Sequence, residues 1–171
     1  MPRFPDPERL ASDHVLSGFN CGEGSLNLWL ERHARSAGPA GGARTYVITD
    51  SDQEDRVVGY HAIATASIEH VDATERAAKG MPRHQISALL LARLAVDKSV
   101  QGEGLGAFLL RDAMLRTLNV SDEVGVRLLL AHALNDRARK FYLRFGFEPS
   151  PTDPMNLQII VKDIRATVGG D

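Results

Sequence analysis

The chain has 171 residues, 43% of them hydrophobic and 25% charged, with a formal net charge of −2. That composition fits a single domain over residues 1–171 with a full core, and it gives no general pull toward nucleic acid. The longest apolar stretches fall far short of the roughly 18 residues that would span a bilayer, and MPRFPDPERL lacks the apolar segment and cleavage signature of a secretion signal, so a cytoplasmic protein with no membrane partner is expected. Cys21 is the only cysteine, which rules out an internal disulfide or a cysteine-built zinc site; no metal centre is expected.

The first residues, rich in proline and charge, should run extended, with a first strand near His14 to Leu16. From FNCGEGSLNLWLERHA onward, Leu26, Trp29, Leu30, His33 and Ala37 fall at helical spacing and stop at Gly38 and Pro39, predicting an amphipathic helix. Thr45 to Thr49 and Arg56 to Ser67 read as a hairpin around the turn DSDQED, and Gly59 inside its second strand suggests a bulge or a close backbone approach. The polar segment from Val71 to Gln85, broken by Lys79-Gly80-Met81-Pro82, reads as a loop or broken helix.

The apolar run LLLARLAV, Leu89 to Val96, reads as a buried strand. It is followed by DKSVQGEGLG and then by a helix to about Leu118 carrying Leu105, Phe108, Leu109, Ala113 and Leu115 on one side. After a turn over Asn119 to Gly125, VRLLLAHA (Val126 to Ala133) is a second continuous apolar strand. Strand, helix and strand in succession imply a parallel, right-handed crossover. A helix from about Asp136 to Phe145 follows, with Asn135 or Asp136 as its cap and Gly146 as its stop. EPSPTDP is then a connector, LQIIVKDI a closing strand and ATVGGD a frayed tail. The fold class is mixed α/β.

The glycine-rich turn joins a strand to a helix N-terminus, where unpaired N–H groups meet the positive end of the helix dipole and Gly102, Gly104 and Gly106 leave room for an anion. A phosphate or pyrophosphate suits it. Glycines alone do not say which, because Gly102, Gly104 and Ala107 also satisfy the dinucleotide fingerprint. That fingerprint needs an acid near the end of the following strand, about 20 residues on. Asp122 and Glu123 precede that strand, Asp136 lies too far along, and the turn comes deep in the chain.

Gln101, Gly104 and Gly106 also spell Q-x-x-G-x-G, and Asn135, Ala138, Tyr142, Gly146 and Phe147 spell N-x-x-A-x-x-x-Y-x-x-x-G-F within ALNDRARKFYLRFGF. Together these resemble the coenzyme-binding motifs of the GCN5-related N-acetyltransferases, the GNAT family, which use acetyl-coenzyme A. The resemblance implies a central mixed twisted sheet of about six or seven strands flanked by helices, with strands 4 and 5 parallel and splayed at their C-terminal ends. It also implies that the edge at Leu94, Ala95 and Val96 pairs with the pantetheine amides as an added strand would, with one N–H there polarising the thioester carbonyl. The pyrophosphate would rest on the backbone of Gln101, Gly102, Glu103, Gly104, Leu105, Gly106 and Ala107, with Lys98 nearby, and Asn135 and Arg139 would help hold the coenzyme. Spacing alone favours Tyr142 as a packing aromatic beside Phe141 and Phe145; the resemblance makes it the expected catalytic residue, a phenol protonated at neutral pH that can hydrogen-bond and protonate the departing thiolate.

No general base stands out, since His61, His70, His84 and His132 read as structural or surface residues. That suits an α-amine acceptor, which titrates near 7.7–8.0 against about 10.4 for lysine and is partly neutral at physiological pH. FNCGEGSLNLWLERHA, ARTYVITD, ALLLARLAVDKSVQGEGLG and ARKFYLRFGFEPSPTDP are similar to the acetyltransferase toxins of bacterial toxin-antitoxin operons. This narrower resemblance implies acetylation of the α-amine of aminoacyl-tRNA, blocked translation, a homodimer and a ribbon-helix-helix antitoxin. Those toxins are often basic and this chain is not, so tRNA contact would rest on local groups: Arg32, Arg35 and Arg44; Arg83 and Arg93; and Arg137, Lys140 and Arg144. Two other readings stand beside it: a GNAT enzyme for a small amine or a protein N-terminus, and a non-catalytic coenzyme-binding module.

Overall fold

The computed structural model describes residues 2–169. Among them the strands β1 (Glu8–Arg9), β2 (Arg44–Asp50), β3 (Arg56–Glu69), β4 (Gln85–Val96), β5 (Leu128–His132), β6 (Glu148–Pro149) and β7 (Asn156–Ile160) form one seven-stranded sheet in the order β1-β2-β3-β4-β5-β7-β6. β4 and β5 are parallel, from Ala88↔Leu128 to Leu91↔Ala131, and β4 runs on to Val96. The pairs β1–β2, β2–β3, β5–β7 and β6–β7 are antiparallel. Helices are α1 (Gly24–Arg32), α2 (Ala34–Ala37), α3 (Glu75–Ala78), α4 (Leu105–Glu123), α5 (Asp136–Arg144) and α6 (Val161–Val168). The mixed α/β class and the parallel pair agree with the sequence reading.

The chain folds as two units, one of residues 1–64 and 92–113, the other of 65–91 and 114–171. In the first, successive residues of β2 and β3 face opposite ways. Val47, Val57 and Tyr60 join Leu16, Phe19, Leu30, Ala34 and Ala95 in one cluster, while Ile48 and Val58 join Val100, Leu105 and Leu109 in another. In the second, Leu128, Leu130 and Ile160 pack with Ile86, Ala88, Ala73 and Ala77. Each fully buried Leu or Ile among these contributes roughly 1.5–3 kcal/mol.

The hairpin is as read from sequence, and Gly59 serves both purposes foreseen for it. The β2–β3 register shifts at Ile48/Thr49, opposite Gly59, and a Cβ on Gly59 would lie 3.2 Å from Leu109 and 3.6 Å from the Ala95 carbonyl.

Several boundaries differ from expectation. The first strand is Glu8–Arg9, not His14 to Leu16, where Val15 makes a single bridge to Arg56. Turns on either side, His14 N–H to Ala11 O and Phe19 N–H to Leu16 O, leave that segment no length to pair. The amphipathic helix is broken at His33 into α1 and α2. Val71 to Gln85 contains α3, capped by Thr74, whose hydroxyl accepts from Ala77 N–H. β4 begins earlier than read, at Gln85, and β5 spans only Leu128–His132. α4 continues through the expected turn to Glu123, since no glycine or proline interrupts it before Gly125. Within EPSPTDP, Glu148–Pro149 pairs with β7. LQIIVKDI is strand only to Ile160, and α6 takes Val161–Val168, with buried Ile164 marking its inner face. Ala166 to Val168 are therefore helical, and Gly170 and Asp171 of the expected tail lie outside the described residues.

Gly59→Val should overpack the contact with Leu109 and lower unfolding free energy by about 2 kcal/mol. Chemical denaturation checks this, and wild-type stability would contradict it.

Candidate active site

The first unit carries the glycine-rich loop. Buried Asp97 follows the end of β4, and its carboxylate accepts from Asn20 N–H (2.8 Å), from Ser99 N–H (2.9 Å) and Oγ (2.7 Å), and from the Arg56 guanidinium (3.1 and 3.3 Å). Its own N–H donates to Val58 O, and Lys98 N–H donates to Asn20 O. One carboxylate thus fixes the strand end, a short 3₁₀ turn at Lys98–Val100 and the Asn20 loop. The Gln101 side-chain amide then donates to Val96 O (2.8 Å) and Cys21 O (3.0 Å). Gln101 therefore acts through the scaffold, bracing the turn at both sides.

Beyond Gln101, Gly102 and Gly104 both have φ +85° with open space where a Cβ would be. Only glycine takes that backbone without strain. Gly106 differs: it lies inside α4, within the first turn, and needs no left-handed conformation. Phe108 N–H bonds to Gly104 O, so the preceding N–H groups of the helix start belong to the set that has no intrahelical acceptor. Leu105 is buried and anchors the helix; Gln101 to Gly104 are exposed. The loop has the bare backbone at Gly102 and Gly104 and the helix N-terminus that suit a pyrophosphate. Glu103 would oppose an anion, but Arg3 pairs with it (3.3 Å) while also binding Asp50 (2.9 Å) and Asp52 (3.1 Å).

Upstream on β4, Leu94 and Val96 are half-buried and Ala95 is buried. Arg93 lays its guanidinium over Trp29, 4.5 Å from the ring centroid, and Trp29 stacks on Tyr60 at 6.0 Å. Tyr60 donates to Leu26 O (2.7 Å), and burial pushes its phenol up from the ordinary value. This aromatic platform was not foreseen; the single tryptophan on a helix face was its one sequence signal.

The second unit carries α5. Asn135 caps it, its side chain accepting from Ala138 N–H (2.9 Å), which leaves its amide N–H₂ for other work. Arg139 donates to Pro154 O (2.9 Å). Tyr142, 7% exposed, packs edge-on to Phe141 and tilted against Phe147, both at 5.3 Å. Burial raises its phenol pKa, so it stays protonated across the physiological range. The ring is fixed by its neighbours, as the packing reading has it, and the hydroxyl keeps its proton.

The basic residues divide between the units. Arg32 is exposed at the end of α1, Arg35 on α2 donates to His14 O, and Arg44 lies at the start of β2. Arg83 is exposed in the loop before β4. On α5, Arg137, Lys140 and Arg144 are all exposed and their 3- and 4-residue spacing puts them on one stripe. Among the histidines, His61 is fully buried against Asp112 (2.7 Å), and His132 is exposed at the end of β5.

An acetyltransferase (GNAT) domain matches residues 41–149. The "tRNA-acetylating toxin" of Mycobacterium tuberculosis (strain ATCC 25618 / H37Rv) is 42% identical over 169 residues, 99% of either chain. Among solved structures, AtaT complexed with acetyl-methionyl-tRNAfMet has a TM-score of 0.86 at 32% identity, covering 95% of this chain and 98% of that one. A tyrosine-to-phenylalanine mutant of the AtaT toxin, bound to the C-terminus of the antitoxin AtaR and acetyl-CoA, has a TM-score of 0.81 at 30% identity, covering 96% and 98%.

Asp97 titrates at about 2 instead of 3.8: burial opposes its charge, and the hydrogen bonds from Arg56, Asn20 and Ser99 outweigh burial. A folded-state pKa below the unfolded one stabilises the fold above about 3.8, and that stabilisation is lost as pH falls toward about 2. Asp97→Asn should cost on the order of 1–2 kcal/mol at neutral pH and flatten the stability profile between about pH 4 and 2. Denaturant titrations across that window check it; parallel profiles for the two proteins would contradict it.

Proposed function

The chain belongs to the GNAT acetyltransferase family, and from that premise we propose that it is an N-acetyltransferase that moves an acetyl group from acetyl-coenzyme A to the α-amine of aminoacyl-tRNA, and so acts as a translation-blocking toxin. The observation that carries this reading is 42% identity along 99% of a chain named for tRNA acetylation. The likeness to AtaT, solved with an acetylated methionyl-tRNA, supports it.

Acetyl-coenzyme A supplies a thioester carbonyl and a thiolate leaving group. The left-handed Gly102 and Gly104 and the first turn of α4 present N–H groups to the pyrophosphate, with Lys98, exposed beside the loop, as a charge partner. The backbone of Leu94, Ala95 and Val96 offers the polar edge for the pantetheine amides and an N–H for the developing oxyanion. Asn135 and Arg139, already oriented by the helix cap and Pro154, complete the hold on the coenzyme.

Tyr142 carries the proton at Oη and hydrogen-bonds the sulfur as negative charge builds there. Burial keeps the phenol protonated at neutral pH, so the proton is there to be given. The attacking amine needs no dedicated base: near neutral pH a substantial fraction of α-amine is unprotonated and the rest loses its proton to water. Lysine amines at about 10.4 would be almost wholly charged.

The same reading includes the partners. A neutralising antitoxin of the ribbon-helix-helix class and assembly as a homodimer accompany the toxin assignment, and AtaT solved with AtaR supports the first. The place of action is the cytoplasm, where charged tRNA is used; among the described residues no helix is long and apolar enough to cross a membrane. RNA contact falls to Arg32, Arg35, Arg44, Arg83, Arg93, Arg137, Lys140 and Arg144.

Incubation of the protein with charged tRNA and labelled acetyl-coenzyme A should label the aminoacyl moiety, while amino-acid esters and peptides without RNA should turn over far more slowly. Label on the peptides alone would overturn the tRNA assignment. Tyr142→Phe should lower kcat by about 10²-fold or more with little change in KM for acetyl-coenzyme A, and should relieve growth arrest on expression. Unchanged kcat would remove Tyr142 from the mechanism. The rate should also rise with pH through about 8 as the α-amine loses its proton.

A further inference from the structure

We propose that the first unit holds a phosphate-binding subsite apart from the glycine-rich loop, in a cavity of about 170 Å³ framed by β1, α2 and the start of β2 and lined by Arg9, Ser12, Arg35, Gly38, Arg44 and Thr45. Its occupant is a phosphate of an RNA backbone. This inference rests on the tRNA reading above and gives it a definite anchoring point.

Charge is the first ground. Arg3, Arg56, Arg76 and Arg165 are each paired with a carboxylate. Arg9, Arg35 and Arg44 all line one concavity, and none of them has a carboxylate partner among the described residues. The nearest acid in sequence, Glu8, is turned to the His14 imidazole, 2.7 Å from Nε2. Three arginines lining one hollow concentrate like charge there, and a bound anion offsets it. Their planar forks match the oxygens of a phosphate.

The hollow is also built. His14 Nδ1 accepts from Ala11 N–H (2.8 Å), which leaves Nε2 to donate to Glu8 and folds the segment after β1 into a fixed wall. Arg35 donates to His14 O, tying α2 to that wall. Leu10 N–H donates to Thr45 O (2.9 Å), joining the wall to β2. The Arg44 guanidinium lies so close to Gly38 that a Cβ there would come within 2.7 Å of it. Gly38 thus leaves space for the guanidinium at the cavity. Thr45 adds a second, independent feature: the residue is 4% exposed, and its Oγ1 has no hydrogen-bond partner among the described residues.

The sequence grouped Arg35 and Arg44 with Arg32 as an RNA-facing set. Arg9 lines the cavity and Arg32, on α1 before the break at His33, does not.

The test uses an uncharged acceptor-stem RNA hairpin, labelled for fluorescence anisotropy, so that binding is read without acetylation. The full-length protein is compared with Arg9→Gln/Arg44→Gln and Arg9→Lys/Arg44→Lys, each first shown by thermal unfolding to keep its wild-type midpoint. The glutamine pair should bind the hairpin roughly tenfold or more weakly and lower the slope of log affinity against log salt by about 2, while the lysine pair should keep most of the affinity. Affinity within twofold of wild type for the glutamine pair would overturn the proposal. Inorganic phosphate is titrated in parallel. Arginine-dependent phosphate binding with hairpin binding unaffected would assign the cavity to a free phosphate and overturn the RNA assignment. If the glutamine pair loses hairpin affinity but the wild type fails to acetylate charged tRNA, the function reading falls and the subsite stands. If charged tRNA is acetylated and hairpin affinity ignores both arginines, only the subsite falls.

Discussion

The carboxylate of Asp97 is the constraint on which the coenzyme end of this protein depends. At the end of β4 the chain must stop being a strand, turn sharply and enter α4 with its first amides free. Strands do not stop cleanly by themselves, and a loose turn would scatter those amides over many conformations. Asp97 gathers Asn20, Arg56 and Ser99 onto two oxygens, and Gln101 adds Val96 and Cys21 from the other side. The glycines supply conformations that no other residue takes without strain, and the carboxylate selects which of those is held. Preorganised donors of this kind cost no rearrangement when an anion arrives.

The chemistry asks little of the remaining side chains, which explains how few stand out. On the proposed reading, backbone amides would bind and polarise and a capped helix would present Asn135, while the one phenol keeps its proton because it is buried among aromatic rings. The acceptor fits the same economy, since an α-amine is close to its own titration point at neutral pH and a strong base would add little. Electrostatics follow a similar division. The net charge is −2, and several arginines are paired with carboxylates while Arg9, Arg35 and Arg44 are not, so on the proposed reading long-range attraction to RNA is weak and short-range grip falls to local groups.

Much of this was legible in the chain because its signals are local. LLLARLAV is continuous and apolar, the glycines fall at fixed offsets between a strand and a helix, and Asn135, Tyr142 and Gly146 mark one short helix with its cap, inner face and stop. Other features were hidden by length or by distance. β1 has two residues, too few for any alternation. α6 was masked because Ile159, Ile160 and Val161 look like one β-branched run although the chain changes period at Ile160. The Asp97 knot was half visible, since Asp-x-Ser at a strand end is a turn signature. Its other partners, Asn20 and Arg56, lie 77 and 41 residues away, and no spacing rule reaches them. The cavity at Arg9 depends likewise on a strand pairing that the sequence did not announce.

The central claim is that a coenzyme is held by the amides that follow Asp97. Amide hydrogen exchange with and without coenzyme A tests it most directly. Slowed exchange over residues 101–108, together with the β4 edge from Leu94 to Val96, is the result this account predicts. Saturating coenzyme A that leaves those amides exchanging at their free rate, with protection only elsewhere, would contradict it.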